Sequence, residues 1–493
     1  MKAGLSTARI SQLEVNMLSI SHEQFHRAFQ AHPGKHILMI TNHGIHQWNV
    51  IPGLPDTGGQ NVFVNQFTDT LERRGLRITI VNRGGYPHPV SGEMHKGLVY
   101  KSAQSRILYI EDDDQAFVHK EEMAPRLPKL AKDLSGFIFE EGLLPDMIIS
   151  HYWDGAVLGI RLNEMLEKPV PHVWIPHSLG SIKKRNVKPF RWPQLKIDER
   201  IEVEHRIVRQ VDYIADTSTA VREALRLDYQ TESAVFLPPC VQTDRFHPRR
   251  IAADDEIWSF LSKTSGLPVP EIQRCTIITE ISRTDTTKRK NVLIEAFARI
   301  HRENPYTFLV VAVDRNEKEL SDELRGLIGR LGITSHTAVI GNEWDRLPSI
   351  YAISGIYCSP SIMEGFGMSV QEAAATAVPI VGSSLIPFVT EFLMGDAPEA
   401  VPYTDDFGNP ATLQQGLGAL SILPDDIAGF AEALRRLTRD ETLRRRMGTE
   451  AFRITIPYFT WDTMVEFFFK AVDGVPTAMT PTPTDRETLD SAG

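Results

Sequence analysis

The segment Thr276-Ile277-Ile278-Thr279-Glu280-Ile281 is a short apolar run rich in β-branched residues, and it opens the second of two similarly patterned halves of the chain. Such a run predicts a buried β-strand. Helical periodicity follows over Val292–Arg302, and another apolar run follows at Thr307–Val313. A strand, a helix and a second strand in this order predict a βαβ unit with parallel strands.

The same alternation continues beyond this segment and already runs before it, from about residue 35. In the first half it predicts strands at His36–Thr41, Arg77–Asn82, Ile107–Ile110, Asp146–Ser150, His172–Pro176 and Tyr213–Ala215, with helices at Asn61–Arg74, Ala156–Glu167, Glu199–Gln210 and Ala220–Arg226. In the second half it predicts further strands at Thr337–Ile340, Ile356–Ser359 and Pro379–Gly382, with helices at Glu317–Leu331 and Ser369–Ala377. We therefore predict an α/β protein with two Rossmann-like, doubly wound domains that face each other across a cleft.

Breaks in the pattern predict the domain boundaries. Residues 1–33 form an N-terminal extension, residues 34–255 the first domain and residues 270–457 the second. An aromatic helix over residues 458–473 is expected to cross back to the first domain. The Pro- and Thr-rich residues 474–493 are expected to be a disordered tail.

Composition narrows the possible partners and location. The net charge of −10 disfavours a nucleic-acid-binding protein. Cys240, Cys275 and Cys358 lie far apart, which argues against both a disulfide framework and a zinc site. Neither a secretory signal nor an apolar run long enough to span a membrane is recognisable, so we expect a cytoplasmic protein. The oligomeric state stays open.

Polar segments follow the predicted strands of the first half, at the sheet edge where ligands bind in folds of this kind. Gly58-Gly59 would let backbone amides approach a diphosphate, although a capped tight turn is the simpler alternative. His177 precedes Lys183-Lys184-Arg185, which suits a substrate oxygen and a phosphate, or else a satisfied histidine and a solvated charge run. The aromatic cluster His151-Tyr152-Trp153-Asp154 suits sugar binding or core packing.

Two motifs follow strands of the second half. Arg283 and the lysines before Asn291 can neutralise the negative charge of a departing diphosphate. Glu364 and Glu372 stand eight residues apart around a Gly-Phe-Gly turn that leads into a helix. Two carboxylates beside a helix N-terminus suit a polyol carrying a phosphate, and a capped helix with two solvent-facing acids is the alternative.

Taken in order, these motifs resemble those of the retaining glycosyltransferases of the GT-B fold. Within that fold the chain is most similar to the sucrose-phosphate synthase and sucrose synthase group, over roughly residues 35–475. The resemblance rests on Asp56-Thr57-Gly58-Gly59-Gln60, His151-Tyr152-Trp153, His177-Ser178-Leu179-Gly180, Arg200-Ile201-Glu202-Val203-Glu204, Pro238-Pro239, Ser282-Arg283 with Lys290-Asn291, and Glu364 with Glu372.

The resemblance implies transfer of a glycosyl unit from a nucleotide-sugar in the interdomain cleft, without a metal or another cofactor. The catalytic residues that it implies are His177, Arg283, Lys290 and Glu364. The donor-binding residues that it implies are Gly59, Lys288, Gly365, Phe366, Gly367, Met368 and Glu372. The acceptor-binding residues that it implies are Gln60, Tyr152, Lys183 and Arg200.

The spacing from Arg283 to Lys290 departs from the family pattern, because it is two residues longer than usual. Lys288 stands at the usual distance, whereas Lys290 stands next to Asn291. Either lysine could therefore bind the diphosphate. We favour Lys290 at this point.

We expect a hexosyltransferase that uses UDP-glucose or a related nucleotide-sugar and a small sugar or sugar-phosphate acceptor. Inositol phosphate, a glycerol derivative or a lipid-linked sugar are alternative acceptors. An epimerase of nucleotide-sugars is the alternative reaction, and a non-catalytic protein that binds sugar nucleotides is the alternative outside enzymes.

Overall fold

The computed structural model describes residues 22–472, except residues 52–53, 314–317 and 342. Residues 1–21 of the predicted extension and the predicted tail at residues 474–493 lie outside this range. Residue contacts divide the chain into two compact units. The first unit runs to Leu237 and resumes at Phe468, and the second unit is Pro238–Phe467.

The first unit is a mostly parallel sheet with helices between its strands. Its helices are α1 (residues 22–31), α2 (Gly59–Arg73), α3 (Leu127–Glu141), α4 (Tyr152–Met165), α5 (Gly180–Asn186), α6 (Ile197–Ile207) and α7 (Thr219–Asp228). Its strands are β1 (His36–Ile40), β2 (Arg77–Arg83), β3 (Tyr86–Pro87), β4 (Met94–His95), β5 (Gly97–Tyr100), β6 (Ser105–Ile110), β7 (Met147–His151), β8 (His172–Ile175), β9 (Tyr213–Asp216) and β10 (Val235–Phe236). The sheet order is β10-β9-β8-β7-β1-β2-β6-β5, with β5 antiparallel to β6, while β3 and β4 form a separate hairpin.

The second unit repeats this architecture with a different edge. Its helices are α8 (Glu256–Ser265), α9 (Val269–Ile272), α10 (Lys290–Glu303), α11 (Lys318–Arg330), α12 (Leu347–Ile353), α13 (Met368–Ala375), α14 (Ile427–Arg439), α15 (Glu441–Thr455) and α16 (Trp461–Val472). Its strands are β11 (Thr276–Glu280), β12 (Thr307–Ala312), β13 (Thr337–Ile340), β14 (Ile356–Ser359), β15 (Ile380–Ser383), β16 (Glu399–Thr404), β17 (Pro410–Gln415) and β18 (Ala419–Ile422). The sheet order is β13-β12-β11-β14-β15-β18-β17-β16, and β17 runs antiparallel to both of its neighbours.

These two sheets confirm the prediction of two doubly wound α/β domains. Helices cover both faces of the central strands, which explains why the strand residues are apolar without alternation. Ile278 on β11 and Val311 on β12 are both fully buried, for example. The meander β16–β18 was not predicted. Its first two strands carry Pro402 and Pro410 and alternate with exposed residues, so they lack the apolar run that marks a central strand.

The segment after β10 differs from its predicted place in the first domain. The Val241 N–H donates to the Phe459 carbonyl at 2.9 Å, and the Pro239 carbonyl accepts from Gln371 Nε2 at 2.8 Å. Farther on, Leu261 of α8 is buried completely. These contacts place the chain from Pro238 onward in the second unit, ahead of the predicted boundary at residue 255. At the other end, the Phe468 ring packs against Phe67 within the first unit, with the ring centroids 5.5 Å apart.

Within the described ranges, no helix combines the length and the apolar character that crossing a membrane requires.

Candidate functional site

In the second unit, the parallel pairing of β11 with β14 brings two predicted motifs together. The strands are neighbours in the sheet, so the loops at their carboxyl ends leave it side by side. The Ile362 N–H in the second loop donates to the Thr287 carbonyl in the first loop at 2.9 Å. The sheet topology therefore explains why residues 283–290 and residues 364–372 form one site.

The centre of this site is an ion pair between Lys288 and Glu364. Lys288 Nζ lies 2.6 Å from Glu364 Oε1 and 3.5 Å from the Met363 carbonyl oxygen. The two side chains are only 9% and 16% exposed, so water screens the pair weakly. A lysine has three donors, and this one can contact a ligand anion while it holds the carboxylate in place.

Lys290 lies elsewhere, and the preference for it as the diphosphate ligand needs correction. Its ammonium group donates to Glu280 Oε2 at 2.6 Å, to the Ser282 carbonyl at 2.9 Å and to the Ala312 carbonyl at 2.6 Å. Three acceptors saturate an ammonium group, and the side chain is 1% exposed. The geometry therefore favours Lys288, and it gives Lys290 the task of holding Ser282 directly before Arg283.

Arg283 contrasts with both lysines because its side chain is 73% exposed. One of its terminal nitrogens lies 4.0 Å from the Asp285 carboxylate, which is at the limit of an ion pair. The guanidinium group is thus available to a ligand, while its backbone is anchored through Ser282.

The turn Gly365-Phe366-Gly367 delivers the chain into α13. Gly367 has φ +108°, and a β-carbon there would lie 2.8 Å from Ile386 Cγ2, so this position requires glycine. Phe366 is 4% exposed and packs on Phe388, with their centroids 5.3 Å apart. The buried side chain of Phe366 therefore anchors the turn, and only its backbone could make the predicted contact with a donor. The amides at the start of α13, from Met368 onward, lack helical partners and favour an anion.

Glu372 lies on α13 beside Tyr351, whose hydroxyl donates to Glu372 Oε2 at 3.1 Å. Burial raises the pKa of Glu372 to about 7, while the Tyr351 hydrogen bond and the positive charge of Arg245 oppose that rise. Arg245 is itself held by the Trp344 carbonyl at 2.8 Å. This carboxyl group titrates near neutral pH and can accept hydrogen bonds from hydroxyl groups once it is ionised.

In the first unit, a second set of side chains gathers where β1, β7 and β8 end. These strands are parallel neighbours, so residues just beyond them share one edge of the sheet. His151 Nδ1 lies 2.8 Å from His177 Nε2. His43 donates from Nδ1 to Asp154 Oδ1 at 2.9 Å. Burial, with the nearby His43, lowers the pKa of His177 to about 3, so this histidine is neutral at neutral pH.

Arg200 and Tyr152 lie in a closed network below this edge. Arg200 Nε donates to Glu204 Oε1 at 2.7 Å, and its terminal nitrogens donate to the Ser178 carbonyl at 2.5 Å and to the Tyr152 hydroxyl. The Arg200 side chain is 5% exposed and Glu204 is fully buried. The guanidinium group therefore orients Ser178 and Tyr152, and an acceptor phosphate would have to displace these partners to reach it.

Lys183 is the more accessible of the two predicted acceptor cations. Its side chain is 24% exposed, and its ammonium group lies 3.4 Å from Glu121. Burial, together with the positive charges of Arg200 and Lys120, lowers its pKa. Lys120 and Arg200 are paired with Asp56 and Glu204, so Lys183 is the member of this group that is best placed to contact a phosphate.

Gly59 and Gln60 open α2 at the same strand-end edge. Gly59 is exposed at the first position of the helix. Gln60 Nε2 donates to the Thr41 hydroxyl at 3.0 Å, directly after β1. The loop thus brings the start of α2 to the end of β1, and the predicted roles of Gly59 and Gln60 stay predictions.

The sequence alone indicates no role for His43 or Tyr351, and it does not indicate that His43 is the partner of Asp154. Asp154 was noted within an aromatic cluster, but its partner His43 is 111 residues away in the chain. Tyr351 lies 21 residues before Glu372 on a different helix. A histidine directly after a predicted strand was the one available signal for His43. The contacts of His43 with Asp154 and of Tyr351 with Glu372 join elements far apart in the chain, and only the structure shows them.

Comparisons with known proteins identify glycosyltransferases as relatives of both halves of the chain. Glycosyltransferase Family 4 matches residues 57–245, and Glycosyl transferases group 1 matches residues 271–395. The chain is 28% identical over 360 residues to mannosylfructose-phosphate synthase from Agrobacterium fabrum, covering 70% of this chain and 75% of that protein. It is 26% identical over 439 residues to D-inositol 3-phosphate glycosyltransferase from Corynebacterium jeikeium, covering 87% and 94% respectively.

A solved structure with the same fold is sucrose-phosphate synthase from Thermosynechococcus elongatus. It matches with a TM-score of 0.68 at 18% identity and covers 93% of this chain and 100% of that chain. The two family matches fall one in each half of the chain, in the order that the motifs predict. Glycosyltransferase models therefore match both halves of the chain, and the chain is a hexosyltransferase with the fold of sucrose-phosphate synthase.

Proposed function

We propose that this enzyme transfers a hexosyl unit from a nucleotide-sugar to a phosphorylated polyol, with retention of the anomeric configuration. UDP-glucose is the first donor to test. The observation that carries the proposal is the Lys288–Glu364 pair before α13, with Arg283 exposed on the loop that also carries Lys288. The two cations Lys288 and Arg283, together with a helix N-terminus, suit a diphosphate. The carboxylate of Glu364, held in place by Lys288, suits the hydroxyl groups of a sugar.

The reaction demands stabilisation of negative charge on the leaving group. The bond between the anomeric carbon and the diphosphate oxygen breaks, a bond to the acceptor oxygen forms, and the acceptor hydroxyl proton passes to the leaving diphosphate. Lys288, Arg283 and the first amides of α13 would bind the developing charge without a metal or another cofactor. Glu364 would orient the transferred sugar, and Glu372 would accept from the ribose hydroxyl groups.

The acceptor is proposed to carry a phosphate because Lys183, on the helix that follows β8, has a partly exposed ammonium group that could bind it. Two relatives carry names that point to phosphorylated products or acceptors, one a fructose phosphate and one an inositol phosphate. Fructose 6-phosphate and inositol phosphate share the chemistry of a polyol with a single phosphate ester, and both belong in the test. His177 is proposed to contact the donor sugar.

The test measures release of nucleoside diphosphate from a panel of nucleotide-sugars, with and without each acceptor, and assigns the anomeric configuration of the product by NMR. Acceptor-dependent release with an α-linked product from an α-linked donor is expected. The Glu364→Gln variant should fold normally and turn over at least about 100-fold more slowly, because the carboxylate that orients the donor is lost. Conversion of the donor sugar without any acceptor would instead indicate an epimerase and would refute the proposal.

A further inference from the structure

In the histidine pair at the ends of β7 and β8, the surroundings determine which ring donates the hydrogen bond. His151 Nδ1 and His177 Nε2 are 2.8 Å apart, and the ring planes are nearly parallel, at 21°, with the centroids 5.1 Å apart. His151 is completely buried. A neutral imidazole has one nitrogen that donates and one that accepts, so only one proton lies between these two rings. Which ring supplies it decides what His177 can offer a ligand.

Both rings are neutral near neutral pH. Burial, reinforced by the neighbouring histidines, lowers the pKa of His151, and burial lowers the pKa of His177 to about 3. Two tautomer arrangements are therefore possible. Either His151 donates from Nδ1 to His177, or His177 donates from Nε2 to His151.

The other nitrogen of His151 discriminates between them. His151 Nε2 is buried and has no hydrogen-bond partner among the residues that the structure describes. If His177 donated, His151 would carry its proton on Nε2, and that N–H would be buried without an acceptor. If His151 donates, Nε2 holds only a lone pair. An unpaired buried N–H is the rarer and more costly defect, so the arrangement in which His151 donates is favoured.

We propose that His151 is a positioning residue that donates from Nδ1 to His177 Nε2 and holds His177 in the tautomer protonated on Nδ1. The Nδ1–H of His177 is then the donor that this ring can offer a ligand, since Nε2 accepts from His151. Its use as a donor to a hydroxyl oxygen of the transferred sugar rests on the proposed function. The assignment of the tautomer does not.

The surroundings make the pair rigid. The Phe63 ring meets His177 edge-on, with centroids 4.9 Å apart and planes at 87°. His177 also has φ +53°, an uncommon left-handed conformation outside glycine, and the fold retains it. His46 shows the same principle with opposite polarity, since it accepts from Asn61 at Nδ1 and donates from Nε2 to Asn65 Oδ1 at 3.0 Å.

The direct test is ¹⁵N NMR of the whole protein labelled at histidine, in which long-range couplings distinguish the two tautomers. The His177 signals are assigned with a His177→Gln variant. Wild-type His177 is expected to be protonated on Nδ1. A His177 ring protonated on Nε2 would overturn the proposal, and this measurement needs neither substrate nor activity.

Two matched variants test the role in turnover. His151→Asn keeps an N–H donor close to the position of Nδ1, whereas His151→Leu has nearly the same shape and no donor. His151→Asn should retain the Nδ1–H tautomer and stay within about fivefold of the wild-type kcat/KM. His151→Leu should populate both tautomers and lose about 10- to 100-fold in kcat/KM for the nucleotide-sugar, as expected when one preorganised donor is lost.

Equal activity of the two variants, or loss in both with His177 unchanged by NMR, would refute the positioning role. Melting temperatures of both variants report whether the fold survives. If no nucleotide-sugar is consumed even by the wild type, the proposed function fails, while the NMR result still decides the tautomer.

Discussion

The clusters at the strand ends of the two units differ in whether their charged groups are enclosed or accessible. In the first unit Arg200 and Tyr152 lie in a closed network in which Arg200 is matched by Glu204, and His177 is neutral. In the second unit Lys288 and Glu364 form a partly accessible pair, and Arg283 is exposed. Side chains in a closed hydrogen-bond network have fixed orientations, whereas an accessible cation can bind a negatively charged ligand. We infer that the first unit orients its ligand, whereas the second stabilises a leaving group.

The contrast between Lys288 and Lys290 makes the same point at closer range. The two lysines are two residues apart in the chain. Lys288 pairs with Glu364 and can still contact a ligand, whereas Lys290 is enclosed by three acceptors. Residue type is identical and burial differs. The following experiments test whether the enclosed Lys290 contributes mainly to stability and Lys288 mainly to turnover.

The largest effect is expected for Lys290→Met. This change leaves Glu280, which is 1% exposed, without its counter-charge. Removing one partner of a buried pair typically costs about 3–5 kcal/mol. The urea midpoint of the second unit should fall accordingly. Adding Glu280→Leu to this variant should recover much of the loss, since no buried charge then remains, and a double variant as unstable as the single one would contradict this account.

Lys288→Met should reduce turnover with little effect on stability. The loss of one preorganised group at developing charge typically costs about 10²- to 10³-fold in rate. We expect this loss in kcat/KM for the nucleotide-sugar, measured at saturating acceptor, with a melting temperature close to that of the wild type. A Lys288→Met enzyme of normal activity, beside an inactive but folded Lys290→Met enzyme, would reassign the diphosphate contact to Lys290.

Donor affinity should depend on pH through Glu372, whose pKa is raised to about 7. The ribose hydroxyl groups donate to the ionised carboxylate, so affinity should fall about tenfold per pH unit below 7 and level off above it. Calorimetric titrations with the nucleoside diphosphate between pH 5.5 and 8 measure this, and Glu372→Gln should remove the dependence. Folding has the opposite preference, because a raised carboxyl pKa favours the protonated native state, and stability should decrease as pH rises from about 4.5 to 7.

The smallest effect is expected for Lys183→Met in the first unit. Losing one charge-assisted contact should raise KM for a phosphorylated acceptor about five- to tenfold, and it should leave an unphosphorylated analogue unaffected. Lys184→Met is the matched control, because its ammonium group pairs with Asp198 at 2.6 Å. If the Lys184 variant shows the larger change in KM, the phosphate binds on another face of α5.

Much of this could be predicted because it depends on local pattern. The central strands are apolar runs such as Ile277-Ile278, which parallel sheets covered on both faces require. Glu364 and Arg283 were identifiable because residues after such strands lie at the binding edge. The enclosure of Arg200 could not be predicted, since a sequence of alternating charged and apolar residues does not reveal whether a guanidinium group is solvated or enclosed. The β16–β18 meander lacked an apolar run and gave no signal.

From residue order alone one obtains two doubly wound domains, the family and the set of polar residues at the strand ends. These follow from hydrophobic periodicity and motif order, which are properties of neighbouring residues. Tertiary structure alone decided that Lys288 and not Lys290 meets Glu364, that Arg200 is enclosed by Glu204, and that His151 meets His177. Such choices depend on burial and on hydrogen-bond partners far away in the chain, and these arise only when strands pair and bring distant loops to one edge.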